Sequence, residues 1–223
     1  MAEENIKTIP LSFVNAYLAK ANDGFILIDT GLANQWEILE KELISTGCLP
    51  DKLKLAILTH GDMDHSGNCK KLQEKYKTKI AMHKDDYSMI ETGSINKRKV
   101  KSLSRKIMFG VFMFLRKFRK NKTNQNKFTP DIFLQDGQSL NDFGFNARVI
   151  HIPGHTKGSI AILTDNGDLF AGDTLVNNKK PETAYIIENS SDLKESLEKI
   201  KKLNIRMVYP GHGKPFLMES LKL

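Results

Sequence analysis

The apolar run 53–58 breaks directly into Thr59-His60-Gly61-Asp62-Met63-Asp64-His65, so a strand empties a dense set of metal-binding side chains into one tight loop. Loops held at the ends of strands are where reactive groups usually sit. Three further segments repeat the arrangement: Pro153-Gly154-His155-Thr156, Ala171-Gly172-Asp173-Thr174 and Pro210-Gly211-His212-Gly213 each follow a β-like run and carry one potential ligand into a turn of small residues. Four independent strand ends can thereby converge on one point. His60, Asp64, His65, His155, Asp173 and His212 together read as ligands of a two-metal hydrolytic centre.

At these residues, and at Ile28-Asp29-Thr30-Gly31 before them, the chain resembles the metallo-β-lactamase superfamily and, within it, the glyoxalase II-like hydrolases. The resemblance implies an α/β fold, the four-layer αββα sandwich, with the metals at one edge. It implies His60 and His155 as ligands of a first metal, Asp64, His65 and His212 as ligands of a second, Asp173 as the bridge between them and Asp29 as an orienting residue behind the ligands. Asp64 and Asp173 are the candidate catalytic carboxylates.

Asp62 departs from the family pattern, which has a third histidine at that place. As a ligand, Asp62 brings the cluster of two divalent cations, three carboxylates and a bridging hydroxide to a formal charge of about zero, against about plus one with histidine. That predicts a less acidic bound water than the pKa of roughly 7 seen with three neutral histidines on zinc. Two divalent ions are expected, zinc first, with manganese or iron admitted by the carboxylate. Asp62 capping the helix behind it is the alternative.

Two cations about 3.5 to 4 Å apart generate hydroxide near neutral pH and polarise the oxygen of the group it attacks, so no side-chain nucleophile is needed. The chain has no Gly-x-Ser-x-Gly elbow. Its two cysteines, Cys48 and Cys69, lie outside every ligand segment and are expected as free thiols. With no leader-like opening and no apolar run near the roughly 20 residues that span a bilayer, a cytoplasmic location is expected.

The 223 residues suit one substantial core, and a single domain over residues 1–223 is expected. Strands are expected at 13–18 and 24–29 around an Asp-Gly turn, then at 53–59, 79–82, 135–140, 145–152, 159–164, 169–171 and 205–209. Helices are expected at 34–46, capped by Asn34 and with Trp36, Leu39, Leu43 and Ile44 on one face, at 68–77, and at 192–203 with Leu193, Leu197 and Ile200 in register. Two groups of strands flanked by helices suit two sheets packed face to face. His83, at a strand end, is expected to be structural, with a place at the rim of the site as the alternative, and His151 is expected to be structural or to stand behind the ligands.

The formal charge of +8 is local, because twelve of the 34 basic residues and none of the 26 acidic ones fall within residues 97–127, which leaves the rest net acidic by about four. This stretch belongs to a basic amphipathic helical insertion expected at about 85–130. Its apolar positions Leu103, Ile107, Val111, Leu115 and Phe118 recur at helical spacing, and residues 107–115 are apolar all round, which a surface helix seldom tolerates uncovered. As a lid or homodimer contact, Phe109, Phe112, Met113 and Phe114 would enclose an acyl chain or dock a neighbour while Lys and Arg meet an anion; a membrane surface and a nucleic acid are the other partners it suits. The leading expectation is a hydrolase of a small ester, thioester or lactone. Alternatives are a phosphodiesterase or nuclease, a di-iron oxidoreductase, and a non-catalytic binding protein.

Overall fold

Alternation of side chains along the β-runs sorts the apolar residues into three layers of core, and two sheets follow from that sorting. The computed structural model describes residues 5–93, 97–100, 110 and 127–222. In chain order the strands are β1 (Ile6–Leu11), β2 (Val14–Ala21), β3 (Gly24–Ile28), β4 (Leu53–Ile57), β5 (Lys79–His83), β6 (Lys99–Val100), β7 (Ile132–Leu134), β8 (Ala147–His151), β9 (Ile160–Thr164), β10 (Asp168–Gly172), β11 (Leu175–Val176), β12 (Glu182–Thr183), β13 (Ile186–Ile187), β14 (Met207–Pro210) and β15 (Phe216–Leu217). One sheet runs β1-β2-β3-β4-β5-β7 and the other β15-β14-β10-β9-β8. The strands β11 with β12, and β13 with β6, form two-stranded ribbons beside them.

In β3 and β4 the residues Ile26, Ile28, Leu55 and Ile57 turn inwards and meet Val149, Ile160, Ile162 and Phe170 of the second sheet. Their neighbours Leu27 and Ala56 turn outwards onto Trp36, Leu39 and Leu43 of the helix Trp36–Ser45. On the far side, Ala161, Leu163, Leu169 and Val208 pack on Ile200 of the helix Ser190–Lys201. Helix, sheet, sheet and helix therefore stack as the αββα sandwich, each layer buried by a period-2 or period-3.6 face.

Pairing is parallel from β3 through β4 and β5 to β7. Parallel strands place their carboxyl ends on one side, so β3 and β4 deliver Asp29 and His60 to the same rim. In the other sheet β10 and β14 are also parallel, which sends Asp173 and His212 out together.

Several local expectations are corrected. β1 precedes the first expected strand; its burial is one-sided only at Ile9 and Leu11, too short a signal for alternation to reveal. The strand expected at 135–140 lies instead at Ile132–Leu134, because Gly137 turns the chain at φ +75° and leaves only a bridge from Ser139 to Arg148. Asn34 sits inside a 3-10 turn, Ala33–Gln35, and does not cap the helix Trp36–Ser45. Ile44 is exposed, so the apolar face of that helix is narrower than expected. The helix at 190–201 does have an asparagine cap, Asn189, which accepts from the amides of Ser191 and Asp192. The amphipathic helix expected within 100–120, its aromatic cluster included, lies outside the described residues apart from positions 100 and 110. Among the described residues no helix is long and apolar enough to cross a membrane.

Candidate metal centre

The four histidines are each held by Nδ1, which leaves Nε2 as the atom turned towards the others. His65 Nδ1 lies 2.9 Å from Asp29 Oδ2, His155 Nδ1 2.8 Å from the Ile186 carbonyl and His212 Nδ1 2.6 Å from the Phe13 carbonyl. His60 Nδ1 is 3.0 Å from Thr59 Oγ1. Thr59 has one hydroxyl proton and gives it to Asp29, at 2.8 Å from Oδ2, so its oxygen is free to accept from His60. Asp29 therefore orients His65 directly and His60 through Thr59. An acceptor behind each imidazole fixes the tautomer that offers Nε2 to a metal. Asp29 adopts φ +58°, a backbone state rare outside glycine, and its bonds to Thr59 and His65 hold it there.

These nitrogens and three carboxylates gather into two connected groups. His60, Asp62 and His155 form one trio and Asp64, His65 and His212 the other, and His60, His65 and Asp173 form a third set that joins them, the ligand atoms of each lying within 4.8 Å of one another. Asp62 Oδ2 is 3.3 Å from His60 Nε2 and 3.2 Å from His155 Nε2. Asp64 Oδ2 is 3.4 Å from His212 Nε2. Asp173 faces both trios: Oδ1 is 3.3 Å from His65 Nε2, and Oδ2 is 3.2 Å from His212 Nε2 and 3.7 Å from His155 Nε2.

Asp62 holds the N-cap position of the short helix Met63–Ser66, yet its side chain makes no capping bond. Its carboxylate turns instead to the two histidines and to Arg98, which corrects the capping alternative.

Burial opposes the ionisation of Asp173, but the charges of His212 and His65 outweigh it and hold the carboxyl well below its usual range. Burial likewise works against protonated His65 and His212, and is outweighed for His65 by Asp29, Asp173 and Asp64 and for His212 by Asp173 and Asp64. Protons on these imidazoles thus compensate the carboxylates, a role that divalent cations fill equally well. The donor set fits such ions on a second count. His60 Nε2, His65 Nε2 and Asp173 Oδ1 are buried without a hydrogen-bond partner, a costly arrangement in a native protein unless something else engages them. Gly211 closes the space from below, where a Cβ would press on Asp173 Oδ1 and His65 Cε1.

Asp86 is not singled out by the sequence, because it falls in the stretch assigned to the insertion. It is fully buried, and its carboxylate accepts from Gly61 N at 2.8 Å, Thr156 Oγ1 at 2.7 Å and Gly158 N at 2.7 Å. It thereby ties the His60 loop to the His155 loop. Cys48 and Cys69 are both buried free thiols, and burial pushes the Cys48 thiol up to about 12. Neither is placed or ionised for nucleophilic work.

His83 and His151 stand outside the centre, with rings stacked at 4.2 Å. Burial and the facing His151 ring hold the His83 imidazole below its ordinary value, against the opposing pull of Asp85 and Asp86. The unfolded chain therefore binds a proton at His83 first, so this stability is complete above about pH 6.5 and is lost as pH falls towards the folded value. In H83Q the drop in denaturation midpoint between about pH 7.5 and about pH 5.5 is expected to be smaller than in the wild type. Equal drops refute the assignment.

Comparison with known proteins gives a consistent family. The family model described as the metallo-beta-lactamase superfamily matches residues 9–212. The chain is 26% identical over 223 residues to the beta-lactamase-like protein 2 homolog of Drosophila melanogaster, covering 94% of this chain and 61% of that protein, so it spans less than two thirds of that relative. It is 26% identical to a human acyl-coenzyme A thioesterase over 93% of this chain and 75% of that one. A hydroxyacylglutathione hydrolase of Haemophilus influenzae is 30% identical over 72% of this chain and 69% of its own. Among solved structures, a metallo-beta-lactamase family protein from Thermus thermophilus superposes with a TM-score of 0.72 at 24% identity, covering 96% of this chain and 75% of that one.

Proposed function

Because the chain belongs to the metallo-beta-lactamase superfamily, we propose that it is a binuclear metal-dependent hydrolase whose substrate is a small carboxylic thioester or ester. The observation that carries this reading is the convergence of four Nδ1-anchored histidines and three aspartates into two trios that share Asp173. His60, Asp62 and His155 would hold one ion, Asp64, His65 and His212 the other, and Asp173 would touch both. Zinc suits the imidazoles, and manganese or iron suits the added carboxylate. Such ions, when bound, activate water near neutral pH and polarise the carbonyl it attacks.

The chain's own contribution is orientation. Asp29, Thr59 and the carbonyls of Ile186 and Phe13 fix the imidazoles, and Asp86 fixes the spacing of two loops. The second trio is the more open one: the side chains of His212 and Asp64 keep 13% and 19% of their surface, against 1% for His60. Phe13, itself 52% exposed, stacks on His212 at 5.8 Å and offers an apolar face to an acyl group arriving from that side. The thioester preference draws on the human relative, named as a thioesterase over most of this chain.

Metal analysis of the purified protein, followed by a panel of thioester, ester, lactone and phosphodiester substrates, tests this. Two divalent ions per chain and the highest kcat/KM on thioester or ester are expected. Turnover of the phosphodiester alone reverses the choice of bond, and iron with oxygen consumption replaces hydrolysis by oxidoreduction.

A further inference from the structure

Arg98 has surroundings that contradict its sequence setting. The sequence places it in a basic run expected to form a lid, a subunit contact or a surface for membrane or nucleic acid, yet its side chain is only 3% exposed. Its guanidinium forms a fork on Asp62, Nη1 to Oδ2 at 2.6 Å and Nη2 to Oδ1 at 2.8 Å, and its Nε lies 3.5 Å from Glu188 Oε1. We infer that Arg98 is the positioning residue that makes an aspartate usable as a metal ligand at position 62. This rests on the two-metal reading proposed above.

The geometry separates two uses of one carboxylate. The fork engages one lone pair on each oxygen of Asp62, and a carboxylate has about four lone-pair sites. Oδ2, while bonded to Arg98, still stands 3.2 to 3.3 Å from the Nε2 atoms of His155 and His60. That is the separation of two ligands on one ion with bonds of roughly 2.0 to 2.1 Å. Arginine and cation can therefore be held together, with Asp62 presenting a single oxygen and unable to swing its second one inwards. Arg98 also supplies a positive charge beside that of the ions, so Asp62 alone does not set the charge of the centre as the sequence suggests. Glu188 takes part of the guanidinium in turn, which keeps Arg98 aligned along the fork.

The backbone carrying Arg98 is tied to the same trio. Strand β6, directly after it, pairs antiparallel with β13, Val100 opposite Ile186. Ile186 is the residue whose carbonyl orients His155. One short ribbon thus sets two of the three ligands of the first trio, Asp62 through Arg98 and His155 through the main chain.

The test is a two-by-two set of variants of the full chain, R98M and D62H alone and together, each stripped of metal and titrated with zinc chloride by calorimetry, with bound zinc counted after dialysis. The wild type is expected to hold two ions. R98M should weaken the first-trio ion by about 10- to 100-fold and retain about one. D62H with Arg98 intact should also be deficient, since the guanidinium then faces a histidine and a cation without its carboxylate. The double variant should recover the second ion. R98K, which keeps the charge but not the fork, gives intermediate affinity and covers the case in which R98M fails to fold. Unchanged or tighter zinc binding in R98M or R98K overturns the inference, as does an equal loss on R98M in both backgrounds, which marks Arg98 as a general structural residue. A wild-type chain that binds no zinc, manganese or iron overturns instead the two-metal reading beneath it.

Discussion

The D173A variant is expected to retain at most one divalent ion per chain and to lose about 10³-fold or more in kcat, a loss at least as large as that of an oxyanion-hole donor. Among the described residues, Asp173 is the carboxylate in contact distance of histidines from both trios, with His65 and His212 on one side and His155 on the other. Removing it leaves two half-sites with nothing in common. D173N separates charge from shape: an amide keeps the side chain's outline but offers one acceptor oxygen in place of two. It should therefore also fall short of two ions. Metal analysis and steady-state kinetics on the same preparations read both effects. Two tightly held ions and undiminished turnover in D173A would remove Asp173 from the centre.

The second large effect is on stability. D86A is expected to unfold at markedly lower denaturant, by about 3 kcal/mol, because two backbone amides and a threonine hydroxyl lose their shared acceptor in a buried place. Asparagine does not repair this. Asp86 uses both oxygens as acceptors, Oδ1 for Gly158 and Oδ2 for Gly61 and Thr156, so one end of an amide must point its own N–H groups at a donor. Because those amides belong to the loops of His60 and His155, the first-trio ion should weaken together with the fold. A denaturant midpoint within experimental scatter of the wild type for both variants would contradict this account.

What can be read in the sequence is whatever a local pattern encodes. The unbroken apolar runs Ile26, Leu27, Ile28 and Leu55, Ala56, Ile57 suit strands buried on both faces, and the structure divides those residues between the inter-sheet core and the outer helix layer. The ligand segments stand out because small-residue turns follow β-runs. The contributions of Asp86 and Arg98 are hidden because their meaning lies in partners 25 to 90 residues away, and nothing near either position announces a buried carboxylate or a buried fork. Thr59 is visible as a neighbour of His60, but its use as a relay from Asp29 depends on a contact between the ends of β3 and β4. Asp62 is legible as a ligand and misleading as a charge, since its counter-ion sits in a run that composition alone assigns to the surface.

His212 is fixed by the carbonyl of Phe13, and beside it Asn15 Nδ2 and the Tyr17 hydroxyl both bond the Pro210 carbonyl, contacts that join positions 193 to 199 residues apart. A ribosome must therefore deliver the chain as far as position 212 before the second trio acquires its second nitrogen. Until then the nascent polypeptide can grip an ion only through its earlier loops, so loading of the second trio waits for the loop after β14 to emerge, and a chain halted just short of Pro210 would keep most of the described strands without a complete second trio.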